Sequence, residues 1–460
     1  MTNHREAAGA YWNAELETLA WDEVERWQAG RIAAMLPALR QRSRLYARLH
    51  ADLSGEPAMR DLADLASLPF TLKDEIRIAQ ERSSPEQPFG DNQAMPSSDI
   101  VQAISSSGTT GAPLYYALTA RDVEIFADAI ANVWFTAGIR RGDTVAHLVG
   151  LPMVAGGLPY ADGFRRVGAT LCWLGGFPTE RILRDMRRLR VTALLATTSF
   201  ALYLAARWDD VGRETGLPSS LTKVLGGGEP GLGVPDIRTR IERGLGLMHL
   251  RETMGLGDVL PSMWGECEVQ DGMHFNAQRY VAVELIDPAS GQRVPWSDGA
   301  TGELVYTAFD RDATPLVRYR SRDHARVSGV RCACGRTSPR IRCIGRTDDM
   351  LIYRGMNVFP SAIRDRVLQR FADRVEPILR IVKDHKDQVR FDDALPLEVE
   401  SPLALDDAQR AALAAEIEAD IRNQLQVRVA VTVLPPDSLP RGTYKNALVA
   451  VRDPAKGTPP

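Results

Sequence analysis

Between residue 101 and about residue 228 the chain alternates short apolar runs with helical segments, a pattern that few architectures accommodate. Residues 144–151, 169–174, 193–197 and 223–225 are short and apolar. Residues 179–189 and 200–208 repeat apolar side chains at helical spacing. Strands separated by helices must be joined by crossovers, so this region predicts a largely parallel sheet covered by helices. At 460 residues the chain is also too long for one ordinary core, and about 150 residues per domain gives two or three units.

The flanking regions differ in texture. Residues 21–49 place Val24, Trp27, Ile32, Met35, Leu36 and Leu39 at helical spacing, and Thr71 with Asp74 resembles a capping box opening another helix. After Tyr280, residues 280–286, 302–307 and 324–327 read as strands joined by Pro- and Gly-rich turns such as 287–291. From near Gly345 the pattern predicts strands at 350–353, 377–383, 395–400 and 428–434 and a helix at 406–425, a small α+β unit; residues 453–460 read as a loose tail. The fold class expected is therefore α/β. It comprises a large N-terminal domain of mixed sheets and helices, residues 1–345, and a small C-terminal α+β domain, residues 346–460.

Charge and cysteine content exclude several classes. A formal charge of −3 carries no basic footprint for nucleic acid. The N-terminal residues are polar, and the most apolar segment, 191–206, is short and interrupted by Thr197, Thr198 and Ser199, so neither a secretory signal nor a membrane span is expected. The expected location is cytoplasmic. Five cysteines in such a chain do not make a disulfide framework, and Cys172 and Cys343 sit among apolar neighbours as small core residues. Cys267, His274, Cys332 and Cys334 are different. Three sulfurs and an imidazole, in two pairs beside Gly272 and Gly335, suit a closed tetrahedral structural zinc, although the Cys-x-Cys spacing is tighter than usual.

One loop carries anion chemistry. Ser105, Ser106, Ser107, Gly108, Thr109, Thr110 and Gly111 follow an apolar run, and glycines among hydroxylated residues let successive backbone N–H groups converge on an anion. No Gly-Lys-Ser/Thr follows, so this is not a Walker A loop. With Pro113 the run is similar to the phosphate loop of the adenylate-forming superfamily of acyl-CoA synthetases, adenylation domains and luciferases. Within it the chain resembles the phenylacetate–coenzyme A ligase family from end to end. Tyr11-Trp12-Asn13 with Glu17, Leu68 to Lys73, Gly228-Glu229-Pro230, Tyr319 to Asp323, Cys332 to Arg336 and Gly345 to Asp349 occur in the family's order.

The resemblance implies ATP-dependent activation of a small, aryl-type carboxylic acid to an acyl-adenylate, followed by transfer to coenzyme A. It assigns Asp323 to the ribose, Arg346 to ribose or phosphates, and Gly228, Glu229, Pro230, Glu252, Thr253 and Met254 to the adenine pocket. Asp258 stands where the family has a magnesium-holding Glu; Met254 and Gly257 replace an aromatic and a hydroxylated residue nearby. Asp348 matches the hinge about which the small domain rotates. Lys445, after Tyr444 in place of Gly, matches the lysine that bridges carboxylate and α-phosphate. Residues 147–160 match the acid-binding wall, with Gly150, Tyr160, Gly227 and Gly255 shaping the slot, and residues 355–360 match the turn facing coenzyme A. Family members also carry a similar Cys…His and Cys-x-Cys-Gly arrangement, and a homodimer through the N-terminal helices is compatible with the resemblance. Two alternatives stay open. One is an adenylating enzyme with another acceptor, such as a carrier protein, an amine or a deazaflavin hydroxyl. The other is a degenerate binder of nucleotide or acyl-adenylate, to which Met254, Gly257, Asp258 and Tyr444 point.

Overall fold

The computed structural model describes residues 9–452 apart from 54, 56–57, 107–112, 150–152, 229–230, 248, 348, 355, 386–387 and 441–446. Among the described residues an eleven-stranded sheet dominates. Its spatial order is Val281–Ile286, Thr301–Ala308, Leu316–Gly329, Arg340–Arg346, Met273–Phe275, Leu260–Glu266, His249–Leu256, Lys223–Gly226, Ala193–Ala196, Thr144–His147 and Thr170–Trp173. The last five pair in parallel, as the alternation at 101–228 requires, and the others pair antiparallel.

The parallel strands are short and apolar because helices cover both of their faces. On one side Ala120–Thr136 buries Trp134 against Phe164 of Leu158–Val167, rings stacked with centroids 4.8 Å apart. On the other, Thr179–Arg188, Thr198–Ala205 and Pro235–Leu245 bury Ile182, Leu204 and Ile241. A separate two-stranded ribbon, Ile100–Ser105 with Tyr115–Thr119, flanks residues 107–112.

The C-terminal unit has its own core. Val429–Leu434, Leu395–Glu400, Leu379–Lys383 and Val449–Val451 form a four-stranded sheet backed by Pro360–Phe371 and Asp407–Leu425, around Ile363, Ile381, Leu397 and Ile417.

Three local departures have physical causes. The helix expected over 21–49 is two, Trp21–Arg42 and Arg44–Leu49, because Ser43 is extended and its hydroxyl accepts from Tyr46 N–H as a new N-cap. The helix after Thr71 is Lys73–Glu81; Glu75 accepts from Leu72 N–H, while the Thr71 hydroxyl is spent on the Val317 carbonyl at 2.6 Å. The strand expected at 324–327 runs over Leu316–Gly329, its N-terminal half disguised by arginines that pair with buried acids. No helix among the described residues is long and apolar enough to cross a membrane.

Candidate active site

The hairpin formed by His249–Leu256 and Leu260–Glu266 organises the site. It has no counterpart among the apolar runs, because Arg251, Glu252, Asp258 and Glu266 interrupt it and are nevertheless buried. The loop that joins its strands carries Asp258, 2% exposed, with its Oδ1 accepting from Tyr116 Oη at 2.6 Å and lying 3.7 Å from Lys73 Nζ. Burial, followed by the Asp258 charge, pushes the Tyr319 phenol well up. Arg311 donates to the Asp258 carbonyl at 2.7 Å and closes the loop from behind.

The residues that flank 107–112 pack next to this hairpin. Ser105 donates its hydroxyl to the Met153 carbonyl at 3.2 Å and receives Ala155 N–H on its own carbonyl; Ser106 Oγ accepts from Leu114 N–H at 3.2 Å. A Cβ on Gly257 would lie 3.2 Å from Ala155 Cβ and 3.9 Å from Ser106 Cα, so the loss of a side chain there lets hairpin and loop base meet. Ser107, Gly108, Thr109, Thr110 and Gly111 lie outside the described residues, as do Gly150, Glu229, Pro230, Asp348 and Lys445.

On the strand that holds Tyr319, Asp323 faces Arg346 across the ladder, Oδ1 to NH1 3.3 Å, and Ser321 Oγ accepts from Asp323 N–H at 2.9 Å. Arg318, just before Tyr319, and Arg322, just before Asp323, have φ of +47° and +66°, left-handed backbone that re-aims the strand at each. Two groups of contacts thus sit near one another: Asp258 with Tyr116 and Lys73, and Asp323 with Arg346 on the strand that holds Tyr319. Gly228, at φ +85°, follows strand Lys223–Gly226. Gly227 is pressed on Thr253, whose hydroxyl donates to the Gly226 carbonyl at 3.2 Å; a Cβ on Gly227 would meet Thr253 Oγ1 at 2.7 Å. Gly255 leaves no room either, its Cβ position lying 2.2 Å from the Pro261 carbonyl oxygen, to which Tyr160 Oη donates at 2.6 Å. Met254 is half-buried against the main core.

Glu252 sits in an ionic cluster. Its Oε2 is 3.5 Å from Arg342 NH1, and its N–H donates to Glu266, which also takes Arg238 at 2.7 Å. Burial, then the neighbouring Glu266 charge, pushes the Glu252 carboxyl up to about 7.

At the far end of Arg340–Arg346 the four metal-type side chains converge. The ligand atoms of Cys267, His274, Cys332 and Cys334 lie within 4.8 Å of one another, Cys267 Sγ 3.8 Å from Cys332 Sγ and Cys334 Sγ 3.4 Å from His274 Nε2. A tetrahedral ion with bonds of about 2.3 Å to sulfur and about 2.0 Å to nitrogen sets sulfurs about 3.8 Å apart and sulfur and nitrogen about 3.6 Å apart. The residues fit such an ion, and Ser338 faces His274 Nδ1 at 3.3 Å, orienting the other nitrogen into the cluster.

Comparison with known proteins settles the family. Residues 26–308 match the model of the AMP-binding enzyme family and residues 355–452 that of the AMP-binding enzyme C-terminal domain. The chain belongs to the AMP-binding enzyme family. A phenylacetate–coenzyme A ligase of Thermus thermophilus is 31% identical over 448 residues, 93% of this AMP-binding chain and 96% of the relative. A crystal structure of 2-hydroxyisobutyryl-CoA ligase in the postadenylation state with 2-HIB-AMP is similar with a TM-score of 0.86, at 27% identity, covering 99% of this chain and 94% of that one. Against the same ligase in its thioesterification state with 2-HIB-AMP and CoA the TM-score is 0.69, at 28% identity over 98% and 94% of the two chains.

In this AMP-binding enzyme Asp258 also has neighbours that sequence reasoning did not single out. Tyr116 reads as an ordinary strand aromatic and Lys73 as one position of a motif, and only the packing of their elements brings both to Asp258. Periodicity holds no signal for either.

Proposed function

We propose that this chain uses ATP to convert a small carboxylic acid to its acyl-adenylate and then passes the acyl group to coenzyme A. In the first step a carboxylate oxygen attacks the α-phosphorus and pyrophosphate leaves. In the second the coenzyme A sulfur attacks the acyl carbon, and AMP leaves. The observation that carries the reading is the gathering, in a chain of this family, of Ser106 beside Gly257, of Asp258 with Tyr116 and Lys73, and of the Asp323–Arg346 pair on the strand that holds Tyr319. It brings the base of an anion loop, a buried carboxylate and a carboxylate–guanidinium pair to one side of the sheet.

In this reading residues 105–111 hold the β/γ-phosphates, Asp323 accepts from the ribose hydroxyls, and Arg346 turns from Asp323 toward ribose or phosphate. Gly228, Glu229, Pro230, Glu252, Thr253 and Met254 wall the adenine, and Gly150, Tyr160, Gly227 and Gly255 shape the acid slot. Lys445 neutralises charge as the carboxylate approaches. Residues 346–460 turn about Asp348 between the two steps. Magnesium on the phosphates would supply further charge neutralisation. Asp258 is a fitting hard oxygen donor for it, but Lys73 at 3.7 Å shares the same carboxylate and takes part of that task. The Cys267, His274, Cys332 and Cys334 cluster is read as a structural zinc: all four positions are protein atoms, so no site is left for chemistry.

The test is acid-dependent pyrophosphate exchange over a panel of aryl and short aliphatic acids, followed by product analysis with and without coenzyme A. We expect exchange with at least one acid and a thioester only when coenzyme A is present. Steady AMP release independent of coenzyme A would sink the thioester step; ATP binding with no exchange for any acid would sink the ligase.

A further inference from the structure

The small domain rests on the large one through the residues that open its helix Pro360–Phe371. Phe359, the N-cap residue, stacks on His324 with ring centroids 5.2 Å apart and planes at 29°. Ser361 donates its hydroxyl to the Ile344 carbonyl, and Leu368, two turns on, joins the hydrophobic core beneath the parallel strands. Gly345 passes so close that a Cβ there would lie 2.7 Å from Ser361 Oγ and 2.9 Å from Phe359 Cδ1. His324 and Gly345 are cross-strand partners, and the next pair along the same ladder is Asp323 with Arg346. The contact between domains therefore lies one register step from the pair read as binding the nucleotide.

The Phe359 ring packs on His324 and is absent from the hydrophobic core of its own C-terminal unit. The stack works only across the interface. It also leaves His324 Nδ1 buried with no hydrogen-bond partner among the described residues, a cost that a permanent interface avoids. A small aromatic contact that carries such a cost suits an interface made to open.

We propose that His324 and Phe359 are a positioning pair: their stack holds the small domain in the adenylate-forming arrangement and must separate before the thiol attacks. The inference rests on the two-step reading above. Because both arrangements draw on one population, weakening the stack disfavours the first step without harming the second.

The test compares His324→Ala, His324→Phe and the wedge Gly345→Ala in two assays with an acid found by the panel. One is pyrophosphate exchange; the other is thioester formation from supplied acyl-adenylate and coenzyme A. Losing one aromatic pair shifts the arrangement by about fivefold, so His324→Ala should slow exchange about fivefold while thioester formation is unchanged or faster. His324→Phe keeps the stack and should stay within about twofold of wild type in both assays. Gly345→Ala should change the two rates in the same directions as His324→Ala. Equal slowing of both steps by His324→Ala, or no change in either, overturns the proposal. Should the wild-type protein exchange with no acid, the functional reading fails and the pair is judged by small-angle scattering alone: His324→Ala must then broaden the distribution of interdomain distances, and an unchanged curve refutes it.

Discussion

Tyr116 donates to a carboxylate that water does not reach, and removing that donor leaves the desolvation cost of Asp258 in place. Tyr116→Phe should destabilise the protein by about 1–3 kcal/mol, measured as a lowered urea midpoint at constant slope. It should also raise the ATP concentration needed for exchange, because the same bond ties the phosphate-loop ribbon to the hairpin. Glu252 predicts a pH effect. Its folded pKa of about 7 lies above its ordinary value, so its contribution to stability is complete below about pH 4.5 and is lost as pH rises through 7. Thermal melts of Glu252→Gln should therefore lose the decline that the wild type shows between pH 5 and 8; parallel curves would contradict this. His147 runs the other way. Burial lowers it to about 4, so its contribution is present above about pH 6.5 and fades as pH falls toward 4.

At the scale of elements, the Cys332–Arg336 turn is also a fastener for the N-terminal segment. Tyr11 Oη donates to the Cys334 carbonyl at 3.0 Å, and Thr337 N–H donates to the Glu17 carbonyl. Arg336 Nε meets Glu17 Oε2 at 2.8 Å, with both side chains almost fully buried. Gly335, at φ +86°, lets Tyr11 approach where a Cβ would lie 2.2 Å from its hydroxyl. The motifs at 11–17 and 332–336, distant in sequence, are thus two halves of one contact. Arg336→Met should leave Glu17 charged and unpaired and cost about 3–5 kcal/mol in denaturant unfolding. Chelation, or Cys334→Ser, should expose the buried Glu17 to a Glu-specific protease before the rest of the protein unfolds. Simultaneous cleavage throughout the chain would show that the metal site does not govern this segment.

For the whole molecule, two assembled units and the role proposed for Lys445 predict that the two steps can be separated by mutation. Lys445→Ala should slow acyl-adenylate formation by about 100-fold or more, the usual range for removing one charge-stabilising group. Thioester formation from supplied acyl-adenylate should change little, because in this reading the small domain that carries Lys445 has turned before the thiol attacks. Equal losses in both would assign Lys445 to holding the domain rather than to chemistry.

The sequence alone determined the large scaffold, because the short apolar runs at 144–151, 169–174, 193–197 and 223–225 leave a parallel sheet as the way to bury them. It also determined the α+β C-terminal unit and the four zinc-type ligands, whose identities are chemical and need no geometry to be recognised. What it could not supply were pairings between distant elements. Hairpin His249–Leu256 with Leu260–Glu266 looks polar until Arg238, Arg342 and Tyr116 are set against its acids. Thr71 looks like a cap until Val317 takes its hydroxyl. The Ser- and Gly-rich segment 105–111 belongs to both accounts: its composition suits an anion, but only tertiary packing places Ser106 against Gly257, beside the Asp258 hairpin. A local pattern records which face of an element is apolar, whereas a buried charge is satisfied by whichever distant residue the fold delivers to it.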